Sequence, residues 1–235
     1  MKKTFSGLLV AALAFAGVVG TSTKADAAFM LWVCNDASCT GGDDYSVADN
    51  ATNNTLGLTG DENAQVNNIA IDGSIFGYTV TTVGTFSLNN ATPDMDLGWV
   101  VRNVGATTPL WLYATQTGFT TLGTANATFS STIDGGTATG TVRGSDGDAN
   151  NPANLAPVLL TLPISAPGGF TQGSASLVGP SPYSFAIGVT LSQTGASSGD
   201  LRVRVVPEPA SMTLFGLGLM GFGVASRRRK ANQAK

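Results

Sequence analysis

Apolar and polar residues take turns along the last third of this chain. Phe185, Ile187, Val189 and Leu191 alternate with Ala186, Gly188, Thr190 and Ser192, and Leu201, Val203 and Val205 alternate with Arg202 and Arg204. A period of two puts one residue class on each side of an extended strand, so such segments form sheets with one buried face. The intervening Gln193–Asp200 stretch reads as a hairpin loop that lets the two strands pair antiparallel.

The same logic marks Phe29–Val33, Asn68–Ile71, Gly77–Val83, Leu97–Arg102, Leu110–Ala114, Ala127–Ile133, Thr137–Arg143 and Val158–Leu162 as short strands bounded by turn residues. Ile133-Asp134-Gly135-Gly136-Thr137 has the chemistry of a hairpin turn. No segment between the terminal regions sustains the three-and-four spacing of an amphipathic helix. Roughly ten short strands in about 180 residues predict a mainly β fold, one antiparallel β-sandwich or jelly-roll-like domain over residues 28–205. Its expected core includes Trp32, Trp99, Trp111, Phe119, Phe129, Phe170 and Phe185.

Composition narrows the chemistry. The chain contains no histidine. That removes the commonest general base and the commonest metal ligand, so a Ser-His-Asp triad is impossible. Between Ala28 and Val205 only Arg102, Arg143, Arg202 and Arg204 oppose thirteen acids, a net charge of −9 without a single lysine. An acidic body offers no footprint for nucleic acid. The acids sit mostly in glycine- and asparagine-rich loops, and the chain reads as a non-enzyme. A histidine-free glycan-active enzyme using two carboxylates is the remaining catalytic reading.

Cys34 and Cys39 are the only cysteines, and their spacing allows a small disulfide-closed loop. In the run Gly144 to Pro152, Asp146, Asp148 and Asn150 have the alternate spacing that turns several oxygens inward, the candidate for weak calcium binding. A solvated turn is the alternative there, since Asn151 and Pro157 stand where a helix-flanked calcium loop needs glycine and glutamate. No other cofactor is expected. Tyr45, Tyr78, Tyr113 and Tyr183 are candidate platforms for stacking on sugars, or else partly buried strand residues.

Both ends carry an address. Lys2 and Lys3 precede an apolar run from Leu8 to Gly20, and Ala25-Asp26-Ala27 supplies a small-x-small cleavage pattern. Residues 1–27 therefore read as a signal-peptide helix, with the mature chain starting at Ala28. At the other end, residues 206–235 divide into three parts. Val206-Pro207-Glu208-Pro209 is a proline-bracketed acid, Ala210–Ser226 is an uncharged run, and Arg227-Arg228-Arg229-Lys230 is a basic stop. As a helix the run would rise about 25 Å, slightly less than the roughly 30 Å hydrocarbon core of a bilayer. The basic cluster would stay in the cytoplasm and leave everything before Val206 outside.

Pro207-Glu208-Pro209, the run beginning Ala210-Ser211-Met212-Thr213-Leu214-Phe215-Gly216 and the arginines together resemble the PEP-CTERM sorting signal of Gram-negative bacteria. The resemblance covers about the last thirty positions. It implies an exosortase as partner, a membrane-embedded cysteine protease or transpeptidase thought to cut near the motif. It also implies a setting of exopolysaccharide production. On that footing the chain is expected to be exported through the inner membrane, anchored by its carboxyl-terminal helix until processing, and then found at the cell surface or outside. The role expected is structural, in an extracellular polysaccharide matrix or biofilm. The alternative is a carbohydrate-binding or adhesive module.

Overall fold

Alternation in sequence becomes alternation in burial. In one strand Ala125, Ala127, Phe129 and Ile133 are buried, while Asn126, Thr128, Ser130 and Thr132 face solvent. The computed structural model describes residues 29–51, 56–63, 65–87, 92–145, 152, 157–177 and 182–207. Within them the strands are β1 (Phe29–Cys34), β2 (Tyr45–Ala48), β3 (Asn68–Ile75), β4 (Tyr78–Ser87), β5 (Asp94–Asn103), β6 (Leu110–Phe119), β7 (Gly123–Ile133), β8 (Gly136–Ser145), β9 (Val158–Ser165), β10 (Gly168–Ser176), β11 (Tyr183–Gln193) and β12 (Ala196–Pro207). No helix among the described residues is long and apolar enough to cross a membrane. Residues 1–28 and 208–235 lie outside that set, and with them both expected terminal helices.

Two six-stranded antiparallel sheets form a sandwich. Sheet I runs β2-β1-β6-β11-β8-β9 and sheet II runs β10-β7-β12-β5-β4-β3. Across the interior β9 lies near β10, β8 near β7, β11 near β12 and β6 near β5. Leu31, Val33, Leu112, Ile187, Val189 and Leu191 from sheet I meet Leu97, Trp99, Phe129, Leu201 and Val203 from sheet II, all buried. Each such side chain contributes about 2 kcal/mol by leaving water. Trp99 and Phe129 stack with ring centroids 5.8 Å apart. The Phe129 ring lies over Gly140 of the facing sheet, where a Cβ would come within 3.1 Å of it. Bare backbone there lets the two sheets close.

The two expected hairpins are absent, and the turns do something else. β11 pairs with β6 and β8 in sheet I, whereas β12 pairs with β5 and β7 in sheet II. β7 and β8 likewise belong to different sheets. Thr194-Gly195, Asp134-Gly135 and Ala166-Pro167 are therefore arches that carry the chain across the sandwich. Backbone bonds hold them side by side: Ala166 N donates to Gly136 O, Thr194 N to Gly135 O, Asp134 N to Ala196 O and Asn103 N to Gly195 O, at 2.8–3.2 Å. Gly136 and Gly168 leave two of these arches at φ of 109° and 123°. A Cβ at either would stand 2.0 or 2.2 Å from a neighbouring carbonyl oxygen. Only glycine fits both demands.

The expected strands fall within observed ones except at Gly77, which is a turn residue before β4, and β2 and β10 have no counterpart among them. β2 has four residues, and β10 is mostly glycine, serine and threonine with no apolar alternation to betray it. The arches and the β1–β2 loop gather at one end of the sandwich, since Cys34 pairs with Trp111 and Gln193 with Gly136. Phe29 and Pro207 emerge at the opposite end, where Pro207 pairs with Gly123.

Candidate functional site

The outer face of sheet I carries residues that strand phase turns away from the core. In β1, Phe29, Leu31 and Val33 point inward and Trp32 does not; in β6, Leu110, Leu112 and Ala114 point inward, and Trp111 and Tyr113 do not. Register then brings them together. Trp32 stands opposite Tyr113, and Cys34 opposite Trp111. Tyr113 in turn faces Gly188 of β11, and a Cβ at Gly188 would lie 2.1 Å from the Tyr113 ring. The ring thus lies flat against bare backbone. Arg143 of β8 covers it, with its guanidinium carbon 5.5 Å from the centroid. Cation–π attraction and shelter from water follow from that stacking.

The disulfide closes the patch from above. Cys34 and Cys39 are bonded, as their spacing suggested, and pack with Tyr113 against the half-buried Trp32 and Trp111. Trp32 Nε1 donates to Thr115 Oγ1 at 3.2 Å, so one indole is fixed in orientation. The neighbouring loop acids are occupied with the loop itself. Asp36 Oδ1 accepts from Ser38 N, Ser38 Oγ and Cys39 N, and the Ser38 bonds hold its carboxyl below the usual range. Asp44 accepts from Gly41 N and Asn35 N, while partial burial pushes its carboxyl up.

All four tyrosines expected as platforms are buried, at most 3% exposed. Their hydroxyls donate to backbone carbonyls, Tyr45 to Thr59, Tyr78 to Thr108, Tyr113 to Ala37 and Tyr183 to Thr121. Burial pushes every phenol up, Tyr45 to about 12. The exchange runs the other way for three residues expected in the core. Trp32 and Trp111 reach the surface of sheet I, and Phe170 on β10 is 64% exposed. For Trp32 and Trp111 phase along the strand is the available signal, because each is out of step with its apolar neighbours, whereas β10 has no apolar alternation against which to place Phe170.

Sheet II presents a second cluster. Asp96 on β5 stands opposite Arg202 on β12, and Asp200 stands opposite Gly98. Arg202 nevertheless reaches Asp94, at 3.4 Å, as does Arg204 at 3.8 Å. Asp96 is left to hydrogen-bond Asp200, and burial, that bond and the Asp200 charge raise its carboxyl to about 7. Two carboxyls in hydrogen-bond contact are closer than the roughly 5 Å that a retaining glycosidase keeps between its pair.

Among the described residues no group of three or more acids or cysteines is placed to hold a metal ion. The calcium candidates Asp146, Asp148 and Asn150 lie outside the described residues. So do Ala25, Ala27 and Ala28 of the cleavage pattern, Glu208 and Pro209 of the motif, and Arg227, Arg228, Arg229 and Lys230. Val206 and Pro207 are the last two residues of β12, both exposed.

Residues 205–230 match the model of the PEP-CTERM protein-sorting motif. No curated protein matches the chain. Among solved structures it is similar to the enzymatically active domain of bacteriophage CBA120 tailspike protein 4, at 12% identity and a TM-score of 0.32, covering 55% of this chain and 19% of that one. The K1 cleaved adhesin domain of Lys-gingipain from Porphyromonas gingivalis W83 matches at 14% identity and a TM-score of 0.34, over 61% of this chain and 92% of that one. A family 11 carbohydrate-binding module from Clostridium thermocellum matches at 9% identity and a TM-score of 0.32, over 64% and 95%.

Proposed function

Because the chain carries a PEP-CTERM protein-sorting motif, we propose that it is an exported surface protein handed over by an exosortase, with a non-enzymatic role outside the cell. The observation that carries this reading is the continuity of β12 with the motif. The matched segment begins at Val205, inside β12, and that strand is paired with β5 as far as Arg204 and with β7 as far as Pro207. No stalk separates sandwich from signal. Pro207 lacks a backbone donor and, with Pro209, favours an extended peptide around Glu208, which keeps the cleavage region from joining the sheet. An acidic, lysine-free body that stays soluble and resists nonspecific association suits a structural place in an exopolysaccharide matrix.

Export and processing are tested by fractionating cells with and without exosortase activity. The account expects the protein outside the membrane fraction only when the enzyme is active. Equal distribution in both strains contradicts it.

One observation favours a second reading, carbohydrate binding. The Trp32–Trp111 patch sits toward the end of the sandwich away from Pro207, near Arg143, so an anchored chain would present it outward. Indole faces bury the apolar C–H side of a sugar ring, and a neighbouring guanidinium suits hydroxyls. Pull-down on the host's own polysaccharide tests this, with Trp111→Ala expected to weaken retention about tenfold or more. Retention that is absent, or unchanged by the substitution, removes this reading and leaves the structural one.

A further inference from the structure

The corner of sheet II where the chain leaves the sandwich grades from apolar to basic. Val203 and Val205 of β12 point into the core, so Arg202, Arg204 and Val206 fall on the outer face. Register sets Thr124 of β7 beside Val206 and Asn126 beside Arg204. Leu122, just ahead of β7, keeps the outward phase of Thr124 and Asn126. Leu122 and Val206 lie nearest the exit, 38% and 49% exposed. One step further up the strand stands Arg204, its side chain 71% exposed, and after it Arg202. The two guanidiniums share one carboxylate, Asp94, at 3.8 and 3.4 Å. Other acids toward this end are engaged by backbone: Asp49 accepts from Asn67 N, and Asp61 from Asn50 N, Asn63 N and Ala70 N. Asp36, Asp43, Asp44 and Asp134 lie in the loop and arch of the opposite end.

We propose that this corner is a seat on lipid headgroups, occupied while the unprocessed chain is anchored and vacated when the tail is cut. The seat rests on the sorting and anchoring function proposed above. Chain length selects the occupant. The uncharged run begins at Ala210, three residues after Pro207, and three residues reach at most about 11 Å. The headgroup layer outside the hydrocarbon is itself about 6 Å deep. A sandwich tied that short, with β12 paired to β7 as far as Pro207, cannot stand clear of the surface. The order along the strand is also that of a bilayer interface. Aliphatic side chains enter among the headgroups, and a guanidinium one step above them meets phosphate.

Attachment makes a weak contact sufficient. A short tether holds the corner against the lipid at roughly millimolar effective concentration, so two aliphatic side chains and an exposed arginine settle it there. Cutting the tail removes that advantage, and a body of net charge −9 over residues 28–205 is then repelled by anionic lipid. Because Leu122, Arg204 and Val206 all belong to the outer face of sheet II, the seated sandwich leans toward that sheet. Sheet I and its aromatic patch are carried away from the surface.

The test uses the full unprocessed chain, reconstituted in vesicles of phosphatidylethanolamine and phosphatidylglycerol that carry a headgroup-borne quencher. Single cysteines take a fluorophore, since Cys34 and Cys39 are bonded to each other. Asn126→Cys reports the corner, Ala48→Cys the outer face of sheet I toward the same end, and Thr132→Cys the far end of β7. Ser211→Cys, in the uncharged run, reports insertion of the tail. Quenching at Asn126 is expected to exceed that at Ala48 about threefold, with Thr132 unquenched. Arg204→Gln with Leu122→Ser should level Asn126 and Ala48 while the melting curve stays unchanged. Equal quenching at the two sites of the wild type, with Ser211 quenched, overturns the seat and leaves the anchor standing. An unquenched Ser211 overturns both. Quenching at Asn126 that survives the two substitutions also overturns the seat, and slower processing of that variant would assign the corner to the exosortase instead. The processed chain from the host should stay off the same vesicles, and its flotation with them would contradict release on cleavage.

Discussion

Asn103 ties together two connections that its neighbours in sequence do not reveal. Its amide nitrogen donates to Ala106 O and Gln193 O, and its oxygen accepts from Gly105 N and Ala106 N, at 2.7–3.1 Å. Asn103→Ala leaves backbone groups of the β5–β6 loop and the β11–β12 arch unpaired. A loss of about 2 kcal/mol is expected in denaturant unfolding. The Cys34–Cys39 bond closes a small loop, and replacing both by serine should cost about 2 kcal/mol in the chain-entropy model. Asp96 gives a pH signature. Its carboxyl is raised to about 7 in the folded chain, so folding holds a proton that the unfolded chain releases. Stability is full at acid pH and is lost as pH rises through about 7. With Asp96 half exposed, screening leaves about 1 kcal/mol of this. Asp96→Asn should flatten the melting temperature between pH 5 and 8, and an unchanged slope would count against the Asp96–Asp200 contact.

Arches, not hairpins, define the connectivity of the second half of the chain. Gly136→Ala is expected to destabilise by about 3 kcal/mol, through both its positive φ and the carbonyl in the way. Gly42→Ala, with no atom within 4 Å of the new carbon, is the control and should be close to neutral in the same thermal melts. The strands flanking Asp134-Gly135 and Thr194-Gly195 were legible because alternation is local. Their pairing was not, because a short glycine turn serves an arch as well as a hairpin and the partner strands are far away in sequence. β10 escaped notice for a related reason: a strand at the edge of a sheet needs little apolar surface, so its glycines and serines read as loop. For Trp32 and Trp111 residue type misled while strand phase was right. The carboxyl contact between Asp96 and Asp200 depends on the β5–β12 register, which no local pattern encodes.

At the scale of the molecule, the ends of the sandwich differ. Disulfide loop and arches crowd one end, and the chain leaves the other at Pro207, where the sorting motif continues from a strand still paired with β7. The aromatic patch and Pro207 thus lie toward opposite ends of the sandwich, and under the proposed sorting function the motif would set which way the rest faces. The most direct check is the intact mass of the exported protein from its host, with and without exosortase activity. An epitope in the β1–β2 loop at Gly42, at the end away from Pro207, would allow recovery of either form. The account predicts a mature chain beginning at Ala28 that loses the segment after Pro209 only where exosortase is active. A chain still ending at Lys235 in both strains would make the tail a plain anchor and contradict it.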